Sequence, residues 1–176
     1  MRRKVVSAPF DTDDLDRVLT TEARELMLDL VLRWASLDGA VSQLYASLLD
    51  RDDETHADEI SDMKMSVKLR TIELTLRKGA PALSRTIAKL KKQAERYGKL
   101  RDTIAHCHCA GMRKSAPGII VFLRYRRHAS GGLIVDAIPI EHIDEAKRFA
   151  EHLRGVVSTL DEAVRASLTE AQAAGG

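Results

Sequence analysis

The chain of 176 residues is poor in aromatic residues, which make up only 4% of it, and it has two cysteines. Scarce aromatic rings mean that aliphatic side chains and alanine must fill the core. The cysteines, Cys107 and Cys109, have one residue between them, which excludes the disulfide framework of a small secreted domain. The longest uninterrupted apolar run, Ile119 to Leu123, has five residues and is far too short to span a membrane.

Other signals are missing as well. Residues 1–6 contain too short an apolar stretch for a secretory signal peptide. The sequence contains no internal repeat, no glycine-rich phosphate-binding loop and no paired-carboxylate motif. We therefore expect a cytoplasmic protein with no cofactor and no membrane partner.

The composition that is present is typical of a helix-rich globular protein, with 44% apolar and 31% charged residues. The length suits one domain with a core of its own. We predict an N-terminal arm (residues 1–19), a single helical domain (20–170) and a frayed tail (171–176). The arm is expected to be irregular because it contains Pro9 and a cluster of aspartates.

Apolar residues at steps of three and four predict long amphipathic helices. The predicted helices run from a cap at Thr20 to about Leu49, from about Ile60 to Gly79, from Pro81 to about Cys109, and from about Glu141 to Leu168. Trp34 lies on the apolar stripe of the first helix and is expected in the core. Val67 and Leu74 are expected on the apolar face of the second, which follows an acidic linker at residues 50–58.

Two β-branched, apolar segments precede the last helix. Residues 119–126 and 133–138 are separated by a turn sequence that contains Ser130, Gly131 and Gly132, which predicts a β-hairpin. The fold class is therefore mainly α. We expect an up-and-down bundle of four to five helices with a β-hairpin inserted before the last helix.

Charge is distributed unevenly although the net charge is only +2. Residues 85–128 contain twelve lysines and arginines but two acidic residues, whereas residues 11–62 contain fifteen acidic residues and four arginines. The basic segment should attract a polyanion such as RNA, or the two segments neutralise one another across a helix packing. The residues predicted to bind nucleic acid are Lys91, Lys92, Arg96, Lys99, Arg113, Lys114, Arg124, Arg126 and Arg127.

The end of the third helix contains Arg101, Asp102 and His106, which are the candidate catalytic residues. A guanidinium can clamp a phosphate with a planar fork of donors, and an imidazole can move protons near neutral pH. Cleavage of a phosphodiester needs both abilities. The same spacing occurs at Arg51 and His56, but the acidic residues around that pair would repel a phosphate.

If the helix continues through His106, five residues place this side chain about 140° around the axis from Arg101. One protomer would then not bring both groups to one atom, whereas two copies related by a two-fold axis could. We therefore predict a homodimer through the helix that contains Arg101 and His106, with residues 86–106 at the interface. The alternation from His106 to Cys109 does not predict a metal site, because ligands two residues apart diverge on a helix.

The long helices, the sequence Leu-Arg-Asp-Thr-Ile-Ala-His (residues 100–106) and the hairpin before the last helix resemble the HEPN superfamily (higher eukaryotes and prokaryotes nucleotide-binding). Its signature is an arginine, usually followed by Asn, Asp or His, and then a histidine after four to six residues. Arg101, Asp102 and His106 match all three positions, and the architectural match covers about residues 20–170.

The resemblance implies a helical dimer that cleaves RNA without a metal. Because the nucleophile would be the RNA's own 2′-hydroxyl, the product would have a 2′,3′-cyclic phosphate end. The resemblance also implies a toxin or defence component of a bacterial system, with a cognate antitoxin as a partner. One branch of the superfamily has a nucleotide-accepting tyrosine two residues after the histidine, where this chain has His108. The alternative function is a non-catalytic HEPN-like dimeric module that binds nucleic acid or a protein partner.

Overall fold

The computed structural model describes residues 3–6, 12–49, 54–125 and 133–175. Its helices are α1 (Thr21–Leu48), α2 (Glu54–Asp62), α3 (Met65–Gly79), α4 (Pro81–His106) and α5 (Ile140–Gly175). Its strands are β1 (Arg3–Val6), β2 (Leu15–Asp16), β3 (His108–Arg113), β4 (Ile119–Tyr125) and β5 (Leu133–Pro139). None of the helices in the described ranges is both long enough and apolar enough to cross a membrane.

The predicted fold class is confirmed: the protein is mainly helical, and antiparallel strands precede the last helix. The predicted hairpin is present as β4 and β5, which pair from Ile119 with Pro139 to Tyr125 with Leu133. It belongs to a larger sheet of five strands, in the order β1-β5-β4-β3-β2. All four strand pairs are antiparallel.

Several predicted boundaries are wrong. The arm is not irregular at residues 3–6 and 15–16, because the edges of the sheet give its backbone hydrogen-bond partners. Residues 54–58 of the predicted linker belong to α2, and the predicted second helix is broken after Asp62. The third helix ends at His106 instead of Cys109 because β3 begins at His108. The last helix, α5, continues past Leu168 to Gly175.

The helix ends follow local rules that the sequence contains. Thr20 caps α1, since its Oγ1 accepts a hydrogen bond from the Ala23 amide at 3.2 Å. Gly79 is the last residue of α3 and Pro81 is the first residue of α4, where proline is favoured. Trp34 is 3% exposed, which confirms its place in the core.

Val67 and Leu74 are not on the buried face of α3, because 45% and 47% of their surfaces are exposed. The buried residues of α3 are Lys68, Leu69, Ile72 and Leu76. The prediction failed because it extended one stripe across the break between α2 and α3. Lys68 takes a buried position because Asp38 and Ser42 on α1 accept hydrogen bonds from its ammonium group.

The chain forms two compact units. One comprises Met1–Leu32 and Gly98–Arg148 and contains the sheet, where Leu15, Val121 and Val135 form an apolar cluster. The other comprises Arg33–Tyr97 and Phe149–Gly176 and is helical. The predicted boundaries at residues 19 and 170 stay a prediction.

The helices of the second unit are joined by specific polar contacts. The Ser47 hydroxyl on α1 donates a hydrogen bond to Asp161 on α5 at 2.6 Å. The Ser84 hydroxyl on α4 donates to the carbonyl oxygen of Glu73 on α3 at 2.8 Å. The Tyr97 and Phe149 rings, on α4 and α5, have centroids 5.1 Å apart.

Candidate functional site

Arg101 lies one and a half turns before the end of α4, with 31% of its side chain exposed. Its Nη1 is 3.2 Å from Oδ1 of Asp102, whose side chain is 58% exposed. The Nε atom of Arg101 is buried and has no hydrogen-bond partner within the described ranges. Among the residues that the structure describes, the guanidinium thus has one acidic neighbour and a buried donor without an acceptor.

His106 is the last residue of α4, and its side chain is exposed. The helix closes behind it with a hydrogen bond from the Cys107 amide to the Thr103 carbonyl oxygen at 3.0 Å. Strand β3 then begins at His108. The imidazole is therefore presented to solvent at the junction of a helix and a strand, where a substrate could reach it.

Arg101 and His106 do belong to one continuous helix, as the two-copy argument requires. Their separation of five residues turns the two side chains about 140° apart on α4. Their environments agree with this divergence, since Arg101 is half-buried and His106 is exposed. The two side chains thus leave α4 in different directions.

An exposed line of basic residues leads along α4 to His106. Arg85, Lys92, Lys99 and His106 follow at intervals of seven residues, which is about two turns, or 10.5 Å, each. Lys89 and Arg96 lie between them on nearly the same side of the helix. The six side chains are exposed. The five lysines and arginines make no ion pair with any residue that the structure describes.

Lys91, predicted to bind nucleic acid, lies outside this line. Its Nζ is 2.5 Å from Oε2 of Glu73 on α3, and its side chain is 21% exposed. The hydrogen bond from Lys91, together with its charge and that of Arg77, holds the pKa of Glu73 below its ordinary value against the opposing effect of burial. Lys91 thus connects α3 to α4.

The basic residues of β3, β4 and the turn between them also have partners. The Arg113 guanidinium is 3.9 Å from the Asp14 carboxylate, and Nζ of Lys114 donates to the Asp13 carbonyl oxygen at 2.8 Å. Arg124, whose side chain is 39% exposed, lies 3.9 Å from the buried carboxylate of Asp136. These contacts neutralise part of the charge predicted to attract nucleic acid.

Asp14 organises the turn between β3 and β4. Its carboxylate accepts hydrogen bonds from the Ser115 hydroxyl at 2.8 Å and from the Ser115 amide at 2.9 Å. These bonds, with smaller contributions from the charges of Arg113 and Lys114, lower the pKa of Asp14. The acidic N-terminal segment and the basic β3–β4 turn are therefore neighbours, in part as the alternative of mutual neutralisation expects.

The remaining predicted residues divide into two groups. Arg126 and Arg127 lie outside the described residues, and so does Arg51 of the second Arg–His pair with this spacing. Cys107 and Cys109 are half-buried thiols, and burial raises the pKa of Cys109. Within the described ranges, no three His, Cys, Asp or Glu side chains are grouped so that they could hold a metal ion.

A groove on the helical unit lies between the first turns of α4 and the middle of α5. It has a volume of about 620 Å³. It is lined by Leu83, Thr86, Ile87, Glu151, His152, Gly155, Val156, Thr159, Leu160 and Ala163. Leu83 at its edge is 43% exposed.

Sequence reasoning placed Arg85 and Lys89 in the basic segment but left them out of the predicted binding residues. A signal that could have found them was present, since basic residues repeat from Arg85 to Lys99 at alternating steps of four and three. The groove had no such signal, because it depends on how α4 and α5 pack.

Comparisons of the chain with protein-family models, with curated proteins and with solved structures find no match.

Proposed function

We propose that this protein is a metal-independent endoribonuclease of the HEPN type that acts as a dimer. The observation that supports the proposal best is the exposed basic line on α4 that ends at His106. Lysines and arginines along such a line can hold successive phosphates of an RNA strand. His106, the proposed proton-transferring group, then lies where the RNA strand would reach the end of α4.

In the proposed reaction, Arg101 holds the scissile phosphate and stabilises the charge that develops on its oxygens. His106 removes the proton from the ribose 2′-hydroxyl, whose oxygen attacks the phosphorus, or donates a proton to the departing 5′-oxygen. The bond between phosphorus and the 5′-oxygen breaks. The products are a 2′,3′-cyclic phosphate and a 5′-hydroxyl, and DNA is not cleaved because it lacks the nucleophile.

Asp102 orients the Arg101 guanidinium in this proposal, consistent with their separation of 3.2 Å. The divergence of Arg101 and His106 on α4 requires that each reaction centre combine groups from two copies.

RNA cleavage in the presence of EDTA tests the proposal. His106→Ala should lower the cleavage rate by about 10²–10⁴-fold, as expected for the loss of a general acid or base. His108→Ala is the matched control, because it removes an exposed histidine two residues away and should cleave as wild type does. Cleavage that survives His106→Ala would come from a contaminant and would contradict the proposal.

Arg101→Lys tests the phosphate clamp separately. Lysine keeps the charge but loses the planar pair of donors, so the variant should also be defective in cleavage. Its dimer should remain intact, because Asp102 can still pair with an ammonium. If the variant cleaves RNA at the wild-type rate, Arg101 is not the phosphate clamp.

The biological role we propose is that of a toxin or defence component in a bacterial cytoplasm, with an antitoxin as cognate partner. Expression of the wild-type chain should then arrest growth, and His106→Ala should relieve the arrest. Equal arrest by both chains would separate toxicity from the proposed chemistry.

The second candidate function is a non-catalytic HEPN-like dimeric module that binds nucleic acid or a protein partner, for which the exposed basic line on α4 is equally suited. Its test is binding, because the exposed line on α4 should bind RNA whether or not cleavage occurs. Lys92, Arg96 and Lys99 together changed to glutamine should weaken binding. The salt dependence should also fall by about two in slope, since about 0.7 of a counterion is released per phosphate contact on a single strand.

Lys64, Arg70 and Lys78 changed to glutamine are the matched control, because these side chains are also exposed and the change in charge is the same. This control should bind RNA as wild type does. Unchanged affinity in the α4 variant would mean that the basic line faces an acidic protein partner instead of RNA.

A further inference from the structure

The turn between β3 and β4 presents three groups that bind anions. The Ser115 amide and hydroxyl donate one hydrogen bond to each oxygen of the Asp14 carboxylate, at 2.9 Å and 2.8 Å. The Arg113 guanidinium lies 3.9 Å from the same carboxylate. A backbone amide, a hydroxyl and a guanidinium are also the donors with which proteins bind the phosphate oxygens of nucleic acids.

The turn holds the Ser115 donors in place by its own backbone. The Ala116 amide donates to the Arg113 carbonyl oxygen at 3.3 Å, which closes the turn around Ser115. The Ile119 amide donates to the Ala116 carbonyl oxygen at 2.9 Å, where β4 begins. Removal of the Asp14 carboxylate should therefore leave the two Ser115 donors in position for another anion.

The Asp14 carboxylate can leave this position without unfolding of the strand beside it. The Asp14 backbone is held separately, since its carbonyl oxygen accepts from the Lys114 amide at 2.8 Å. The next residue, Leu15, is buried and pairs with Arg113 in the sheet. The Asp14 side chain itself is 27% exposed, so rotation of this side chain alone can turn the carboxylate into water.

The Arg113 guanidinium has donors left for a ligand. Its separation of 3.9 Å from Asp14 is longer than a hydrogen bond, and it makes no hydrogen bond to any other residue that the structure describes. Its side chain is 40% exposed, and Ser115 is exposed as well. A phosphate that replaces the carboxylate could therefore accept hydrogen bonds from Ser115 and from Arg113 at the same time.

The turn lies within reach of an RNA strand that passes His106. Strand β3 begins at His108, two residues after His106, and ends at Arg113. Its five steps span about 17 Å at about 3.4 Å per residue. A few nucleotides of an extended RNA strand cover this distance. His106 and the turn also belong to the same compact unit.

We propose that the β3–β4 turn is a phosphate-binding site for the RNA backbone, and that the Asp14 carboxylate occupies it as an internal competitor. RNA as the source of the phosphate rests on the proposed function. A competitor within the same chain acts at a high effective concentration. The affinity for phosphate is then reduced to the fraction of chains in which Asp14 has turned away. The N-terminal segment thus restrains RNA binding beside His106.

Asp14→Ala vacates the site, and inorganic phosphate is the first probe. The Ser115 amide signal in NMR spectra should shift with phosphate and reach half-saturation at a concentration at least about tenfold lower than in wild type. A tenfold change corresponds to about 90% occupancy by Asp14. Asp16→Ala is the matched control, because it removes the same charge from a carboxylate that accepts from the Val18 amide instead of from the turn. This control should titrate as wild type does.

Arg113→Gln separates the site from the general charge of the surface. In the Asp14→Ala background it should abolish most of the gain, because the guanidinium then contacts the phosphate. In wild type it should change the titration by less than about twofold, because Asp14 still occupies the Ser115 donors. Equal effects in the two backgrounds would contradict the proposal. Circular dichroism checks the fold of each variant, and Asp14→Asn, which keeps the size of the side chain, should show the same order of affinities.

A fluorescent oligouridylate of about 20 nucleotides tests RNA as the ligand, in a His106→Ala background that should not cleave it. Asp14→Ala should bind this RNA at least about threefold more tightly, and the salt dependence should rise by about 0.7 in slope for one more phosphate contact. Asp16→Ala should bind RNA with the slope of its parent chain.

A Ser115 amide that does not respond to phosphate in Asp14→Ala would overturn the proposal, and so would an equal gain in Asp16→Ala. A response to phosphate with unchanged RNA affinity would reject the RNA backbone and indicate free phosphate as the ligand. The phosphate titration contains no RNA, so failure of the nuclease proposal would leave its result intact.

Discussion

Lys68 provides the most quantitative test of the helical unit. Its side chain is completely buried, and its ammonium group donates hydrogen bonds to Oγ of Ser42 at 2.8 Å and to Oδ1 of Asp38 at 3.3 Å. Both acceptors lie on α1. A buried ammonium is stable only if it is paired and hydrogen-bonded, so Asp38 should contribute far more than a surface aspartate does.

The expected loss of stability follows from the distance between the Lys68 and Asp38 charges and from the exposure of Asp38. Unit charges at 3.3 Å attract by about 5 kcal/mol at an effective dielectric constant of about 20. The Asp38 side chain is 41% exposed, so water screens part of this attraction. We therefore expect Asp38→Ala to lower the free energy of unfolding by about 2–3 kcal/mol, below the range of about 3–5 kcal/mol for a fully buried pair.

Lys68→Met should cost less than about 1 kcal/mol, because it removes the buried charge as well as its partner's attraction. In the Lys68→Met background, Asp38→Ala should be nearly neutral. The double-mutant cycle should thus give a coupling energy of about 2 kcal/mol. Asp29→Ala is the matched control, since Asp29 lies on α1 at 4.0 Å from the part-exposed Lys147 and should cost less than about 1 kcal/mol.

Urea unfolding followed by circular dichroism measures these differences. With a slope of about 2 kcal/mol per molar urea, Asp38→Ala should lower the midpoint by about 1–1.5 M. If Asp38→Ala costs the same in the wild-type and Lys68→Met backgrounds, the aspartate does not stabilise the buried ammonium. The reasoning from burial and distance would then be refuted.

Two further predictions concern other positions. Gly111 has a φ of +131° at the bulge of β3, and an added Cβ would meet the Asp16 carbonyl oxygen. Gly111→Ala should therefore lower the free energy of unfolding, measured in urea, by about 2 kcal/mol or more, while Gly118→Ala should lower it little. The pKa of Glu73 is lowered mainly by the hydrogen bond from Lys91. As the pH falls below the ordinary value of 4.5, the unfolded chain therefore binds more protons at this residue than the folded chain does, and the stability that the pair contributes is lost. Lys91→Met should therefore destabilise the chain at pH 7 and make it less sensitive to acid in that range; parallel pH profiles of unfolding free energy for the two chains would contradict this.

The catalytic candidates illustrate what one sequence can and cannot predict about a site. The residue types, their spacing and their angular separation on a helix follow from the sequence, and the structure confirms that Arg101 and His106 share α4. The sequence does not show which basic residues are paired with acidic ones. Lys91 is paired with Glu73 because α3 packs beside α4, whereas Lys92, the next residue, is exposed.

Strands β1, β2 and β3 were missed for a related reason. They have two to six residues each and no alternating apolar pattern strong enough to predict a strand. β1 and β3 pair with the two open edges of the β4–β5 hairpin, and β2 pairs in turn with β3. The hairpin itself was predictable, since its β-branched residues and its turn are local features.

The amino-acid sequence by itself determined the long helices, the cap of α1 at Thr20, the start of α4 at Pro81, the burial of Trp34 and the hairpin. These features depend on amphipathic periodicity and turn chemistry, which act within a few residues. Only the tertiary structure decided that Lys68 is buried while Val67 and Leu74 are exposed, and that α4 and α5 leave a groove between them. These outcomes depend on polar partners and neighbouring surfaces that are distant in the chain, and the free energy of a buried charge or an uncovered apolar face is set by those neighbours.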